Sequence, residues 1–207
     1  MLHHALRAAV GATVGAIEFV GHTTAIVSPD SNTFTASYPT GTQNGDLAII
    51  VISATNNLGN PFLATGWTVI DRQVVQTGVR SQLSYRVVSG TSSQTFSKTG
   101  VVTAFPAYIL LVFRNATYSS YSFANNSTGS PDAPSLTGTF NTVVALGFSA
   151  ATDASVDAPS GFTLASNTTN TASNMAAFKI SNEVNPDPGA FQNVTSGAWH
   201  AYTLGLT

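Results

Sequence analysis

The sequence predicts an all-β protein: an antiparallel β-sandwich, jelly-roll-like, with a pseudo-twofold internal repeat and a short N-terminal arm. Three observations carry that prediction. Short apolar or alternating segments rich in Val, Ile, Thr and aromatic residues recur along the chain, with turn residues between them. No helix is predicted beyond the N-terminal arm. The chain also nearly repeats itself: residues 46–70, DLAIIVISATNNLGNPFLATGWTVI, align without a gap with residues 141–165, NTVVALGFSAATDASVDAPSGFTLA, 95 positions later. Each copy has an apolar strand, a polar stretch carrying Pro, and then Gly-aromatic-Thr, with Gly66-Trp67-Thr68 over Gly161-Phe162-Thr163. Self-similarity at a fixed spacing marks one supersecondary unit used twice.

The elements follow in order. Residues 1–16, MLHHALRAAVGATVGA, resemble a signal peptide superficially, but the apolar run is short, broken by Arg7 and rich in Gly. They read better as an arm, helical from Leu2 to Val10, that docks on a neighbouring subunit through Leu2, Leu6, Arg7 and Val10. Ile17–Gly21 and Thr33–Tyr38 alternate as strands do. Tyr38-Pro39-Thr40-Gly41 and Asn44-Gly45-Asp46 are turns. Leu47–Ala54, LAIIVISA, is a near-continuous apolar run and hence a central strand. Trp67–Val75, Ser81–Ser89, Thr95–Lys98 and Ala107–Phe113 complete the first copy. The second supplies Thr142–Ala150, Phe162–Ala165, Met175–Ile180, Gly189–Gln192 and Trp199–Leu206, with Asn185-Pro186-Asp187-Pro188-Gly189 as a loop. No linker separates the copies, and Val112-Phe113 resembles Glu18-Phe19. The strand Ala107–Phe113 is therefore expected to close one copy and open the next, giving a single domain over 17–207 with halves of about 17–112 and 112–207.

Composition narrows the function classes. Charged residues are only 8% of the 207, with seven Lys+Arg against nine Asp+Glu, far below the usual quarter. An apolar fraction of 43%, with 12 Phe, 6 Tyr and 2 Trp, is enough for a core and argues against disorder. No apolar run reaches the roughly 18–20 residues of a membrane helix, so membrane insertion is not expected. No basic cluster exists to neutralise phosphates, so nucleic acid is not an expected partner. The absence of cysteine removes disulfides, thiolate chemistry and cysteine metal sites together. A surface of Ser, Thr, Asn and Gln suits proteins packed in assemblies or exposed outside cells.

The motifs Gly45-Asp46-Leu47, Gly66-Trp67-Thr68 and Tyr85-Arg86-Val87, echoed by Gly161-Phe162-Thr163 and Phe178-Lys179-Ile180, resemble a family of β-sandwich proteins common in bacteriophage virions and bacterial surface proteins. The resemblance spans about residues 17–207. It implies a virion location, in a tail tip, a tail fibre or a capsid decoration. It also implies other virion proteins as partners, a homo-oligomer and a cell-surface glycan as a candidate ligand.

Trp67 is matched by Phe162, and a large aromatic kept in both copies points to core packing rather than a sugar platform. Asp46, after Gly45, suits capping of turn N–H groups. Asp132, Asp153, Asp157 and Asp187 lack the spacing of a calcium loop, and no metal site or cofactor is expected. His200 reads as a rim histidine and the adjacent His3 and His4 as solvated. With Glu18 and Glu183 the only glutamates, and no nucleophile, zinc or phosphate motif, no catalytic residue is assigned and the chain is expected not to be an enzyme. The segment Asn115–Ser130 reads as a junction loop. There Tyr118, Tyr121, Phe123, Asn125 and Asn126 combine amphipathic rings with adaptable hydrogen bonding, as recognition loops do.

Overall fold

The apolar run Leu47–Ala54 is buried along its whole length because both of its faces are covered. Leu47, Ile49 and Val51 point into a core shared by two facing sheets, while Ala48, Ile50 and Ile52 point the other way into a second cluster. The period-two alternation of a strand is therefore present, hidden under a uniformly apolar sequence.

The structure is a computed structural model that describes residues 15–28, 31–55, 58, 60–73, 79–90, 93–99, 106–153, 155–169 and 173–207. Among these residues the secondary structure is all strand. The first half contains β1 (Glu18–Ile26), β2 (Thr33–Ser37), β3 (Leu47–Ala54), β4 (Thr68–Gln73), β5 (Arg80–Val87), β6 (Ser93–Ser97) and β7 (Ala107–Arg114). The second contains β8 (Tyr118–Asn126), β9 (Asp132–Ala133), β10 (Thr139–Ser149), β11 (Thr163–Thr169), β12 (Ser173–Val184), β13 (Gly189–Ala190) and β14 (Trp199–Leu206). One antiparallel sheet has the order β1-β7-β3-β5-β4 and the other β8-β14-β10-β12-β11, read in the matching direction. Strand for strand, the two orders are the same pattern. The expected all-β antiparallel sandwich with an internal repeat is the observed architecture.

The repeat reaches down to irregularities. A bulge between Val69 and Asp71 in β4 recurs between Leu164 and Ser166 in β11. Ala64–Trp67 and Pro159–Phe162 form the same turn, closed by N–H donations from Trp67 to the Ala64 carbonyl at 3.1 Å and from Phe162 to the Pro159 carbonyl at 3.0 Å. Gly66 and Gly161, third in each turn, both have φ of 79°, the value a type II turn requires there and the reason Gly stands in both. Facing strands obey the same symmetry. Phe19 of β1 lies 4.3 Å from Phe178 of β12, and Tyr118 of β8 stacks on Tyr85 of β5 at 4.7 Å. Phe19 and Tyr118 are equivalent, each opposite the last inward residue of its neighbour, Phe113 or Leu206.

Outside each sheet lies a two-stranded ribbon, β2–β6 over the first and β9–β13 over the second. Phe34, Phe96 and Trp67 pack under the first, and Phe191, Met175 and Ala133 under the second. Burying an aromatic of this kind contributes roughly 2–3 kcal/mol. The ribbons explain why central strands can be apolar on both faces.

Three expectations are corrected. Ala107–Phe113 is not shared between the copies: β7 pairs only with β1 and β3, and its counterpart is β14. The copies meet at Asn115–Thr117, where Asn115 has φ of 55° and turns the chain from one sheet to the other. The expected junction loop is largely strand β8, an edge strand paired with β14. Edge strands need apolar residues on one face only, so the Ser and Asn content of β8 looks like that of a loop. In addition, β1 runs on to Ile26 through His22-Thr23-Thr24, beyond the expected Gly21.

Candidate functional site

Strand directions divide the sandwich into two poles. At one, Ala16 accepts a hydrogen bond from the Asn115 amide at 3.1 Å, and Thr207 exchanges backbone hydrogen bonds with Thr117 at 2.7 and 3.0 Å. The polypeptide thus enters and leaves the sandwich at the same pole, around the joint of the copies. At the opposite pole β1, β3, β4, β8 and β10 finish and β5, β7 and β14 start.

The entry pole is held by a charge cluster. Arg114 donates to Asp46 Oδ1 at 3.2 Å, to Asp46 Oδ2 at 3.3 Å, to the Gly41 carbonyl at 2.7 Å and to Glu18 at 3.4 Å. Asp46 Oδ2 also accepts the Gln43 N–H at 2.8 Å, the turn-capping role its position after Gly45 suggested. A cleft of about 530 Å³ opens beside this cluster, lined by Gln43, Asp46, Arg114, Asn115 and Thr207. Its guanidinium is committed to internal partners, so its evident work is to lock β1, β7 and the approach to β3 together.

The opposite pole carries a cleft of about 470 Å³ lined by Asn60, Pro61, Leu63, Ser97, Lys98 and Thr99. Leu63 is 54% exposed, an apolar side chain presented rather than packed. Asn60 donates to Thr99 Oγ1 at 2.7 Å and to its carbonyl at 2.9 Å. Lys98 donates to the Leu58 carbonyl at 3.1 Å, and its ammonium lies 5.4 Å from the centre of the Phe62 ring. Desolvation holds the Lys98 pKa below that of an ordinary lysine, with the Arg72 charge adding to the effect. A cleft that presents Leu63 beside a fixed amide, with the Lys98 side chain largely buried, can take a small polar ligand or a partner's side chain. Sequence reading missed this cleft because its residues come from the connection after β3 and the end of β6.

Inside the sandwich, near the same pole, polar groups meet across the sheets. Ser81 Oγ lies 3.0 Å from His200 Nδ1 and 2.8 Å from the Tyr202 hydroxyl, and Ser53 bonds Asn174. His200 is 1% exposed, so the expected rim histidine is in fact an interior one. Desolvation lowers its pKa to about 4, against the opposing pull of Asp71 and with the help of Arg80. Burial pushes the Tyr202 hydroxyl well above its ordinary value. Ser81, His200 and Asp71 have the side chains of a nucleophilic triad, but Ser81 and His200 are sealed from solvent. The arrangement ties one sheet to the other.

The predicted recognition residues fall along β8. Tyr118, Tyr121, Phe123 and Asn125 stand opposite Leu206, Leu204, Tyr202 and His200, so they face the inter-sheet core, whereas Asn126, opposite Trp199, faces outward. Tyr118 and Phe123 are engaged in packing, Phe123 lying 5.0 Å from Tyr202 and 5.3 Å from His200. Tyr121 remains 36% exposed at the open edge. Trp67 packs on Phe96 at 5.0 Å, and Trp199 is 6% exposed with its indole N–H donated to the Thr128 carbonyl at 3.0 Å. Leu2, Leu6, Arg7 and Val10 lie outside the described residues. No protein-family model, curated protein or solved structure matches the chain.

Proposed function

We propose that the chain is a non-enzymatic structural protein of a bacteriophage virion, placed in a tail tip or fibre. Its entry pole faces the particle and the opposite pole faces a host-surface glycan or a neighbouring subunit. The observation that supports this reading is the separation of poles: the chain enters and leaves the sandwich at one, and the Asn60–Leu63–Lys98 cleft lies at the other. A chain with only 8% charged residues suits close packing in a homo-oligomer or beside other virion proteins. Both tryptophans are engaged in packing, so a glycan would meet the cleft side chains rather than an indole platform. Capsid decoration is the alternative that shares the virion setting, and it needs contact area but no receptor cleft.

Mass spectrometry and immunogold labelling of purified particles test the reading. The expected result is a fixed copy number at the tail. Label on the shell would favour decoration, and absence from particles would sink the proposal. Deleting residues 1–16 is expected to abolish incorporation while leaving the sandwich folded. Leu63→Glu is expected to reduce adsorption to cells without changing particle assembly.

A further inference from the structure

Asp153 lies in the connection between β10 and β11 and is 8% exposed. Three separate segments position it. Its N–H donates to Ser173 Oγ at 2.7 Å, its carbonyl accepts from Asn167 Nδ2 at 3.2 Å, and its Oδ1 accepts the Thr195 N–H at 3.1 Å and the Thr195 hydroxyl at 2.5 Å. The other carboxylate oxygen, Oδ2, is buried without a hydrogen-bond partner, and so is Oδ1 of Asn167. Two contacting residues therefore each hold an orphaned oxygen, and both oxygens are acceptors. Among the described residues the ion pairs are those of Arg114 and Lys179, and neither involves Asp153. A buried carboxylate without a compensating charge is strongly disfavoured.

We propose that Asp153 Oδ2 and Asn167 Oδ1 are ligands of a bound hard cation, with calcium the best fit. Carboxylate and amide oxygens are the donors calcium takes, and its flexible coordination admits water for the remaining positions. With a single carboxylate the affinity belongs with weak extracellular sites, at about 10⁻⁴–10⁻³ M. The aspartate spacing gave no hint of it because the positioning residues come from the β10–β11 connection, β11, the start of β12 and the approach to β14. Ion occupancy would pin the β10–β11 connection to β11 and, through Thr195, to the approach to β14.

The full chain, stripped with EDTA and dialysed, is melted with 0–10 mM CaCl₂ and, separately, MgCl₂. Calcium is expected to raise Tm by several degrees at saturation and magnesium by less. Asp153→Asn is expected to abolish the response. Asn167→Asp, which adds a second carboxylate, is expected to lower Tm in EDTA and to tighten calcium binding at least tenfold by calorimetry. This variant keeps the test decisive if Asp153→Asn does not fold. No calcium response in the wild type, or none gained by Asn167→Asp, would overturn the proposal in favour of a bridging water. A response that survives in Asp153→Asn would overturn it by assigning the ion elsewhere.

Discussion

His200 is a base packed against the Phe123 ring, with Ser81 its hydrogen-bonding neighbour and Asp71 and Arg80 the charged groups that act on it. Its pKa of about 4 in the fold lies below the roughly 6.5 of an unfolded histidine, so the neutral form is favoured by folding. The stability it contributes is complete above pH 6.5 and is lost as pH falls from 6.5 through 4. The displacement corresponds to about 3 kcal/mol. Denaturant melts between pH 7.5 and 3.5 are expected to show this acid loss, and His200→Gln, which keeps an acceptor for Ser81, to flatten it. Arg114→Ala is expected to lower Tm more than Glu18→Ala does, because it strands Asp46, which is 3% exposed, whereas Glu18 lies at the surface. The roles of Trp67 and Asp46 were legible in the sequence, one from its partner Phe162 and the other from the adjacent Gly45. The interior place of His200 was not, because Ser81 stands 119 residues away and no local pattern joins them.

Turns and edge strands show what the repeat does and does not conserve. Gly161 has φ of 79° and no atom within 4 Å of an added Cβ, so Gly161→Ala isolates backbone strain from any clash. It is expected to cost about 1–2 kcal/mol in chemical denaturation. Gly66→Ala is expected to match it, since the nearest atom there is the Arg86 guanidinium at an ordinary 3.6 Å. The two turns are in different halves, and the double variant is expected to be additive. Strand β8 tests the alternative readings of its aromatics. Tyr118→Ala removes a ring stacked on Tyr85 and is expected to cost about 2–3 kcal/mol, while Tyr121→Ala, at the exposed edge, is expected to change stability little. Reduced adsorption in Tyr121→Ala at unchanged Tm would identify the edge as a contact surface. The gapless alignment of 46–70 with 141–165 made β3, β4, β10 and β11 readable. Beyond it the equivalent strands differ too much in sequence: Glu18–Ile26 and Tyr118–Asn126 share a place in their sheets and a bulge, but almost no residues.

The whole molecule is stable because each half hides the other's inner face. Leu47, Ile49, Val51, Ile109, Leu111 and Phe113 of the first sheet meet Val144, Leu146, Phe148, Tyr202, Leu204 and Leu206 of the second in one cluster. A fragment ending at Asn115 would expose its side of that cluster and is expected to give no cooperative melt. Mixing it with a fragment beginning at Ala116 is expected to restore one, read by circular dichroism. Sandwich architecture was legible from the strand pattern, but the one-half-per-sheet division was not. Sequence similarity between Val112-Phe113 and Glu18-Phe19 suggested a shared strand, whereas hydrogen bonding assigns β7 to one sheet.

The meeting of Ala16, Thr207 and the Asn115–Thr117 joint at one pole gives the polypeptide the path of a nearly closed ring. A circular permutant that links Thr207 to Gly15 through a short Gly-Ser bridge and opens at Asn115–Ala116 would preserve every strand pairing in both sheets. In that ring the order of the two halves is arbitrary. The two halves then differ by features such as the interior Ser81–His200 contact rather than by their place in the path.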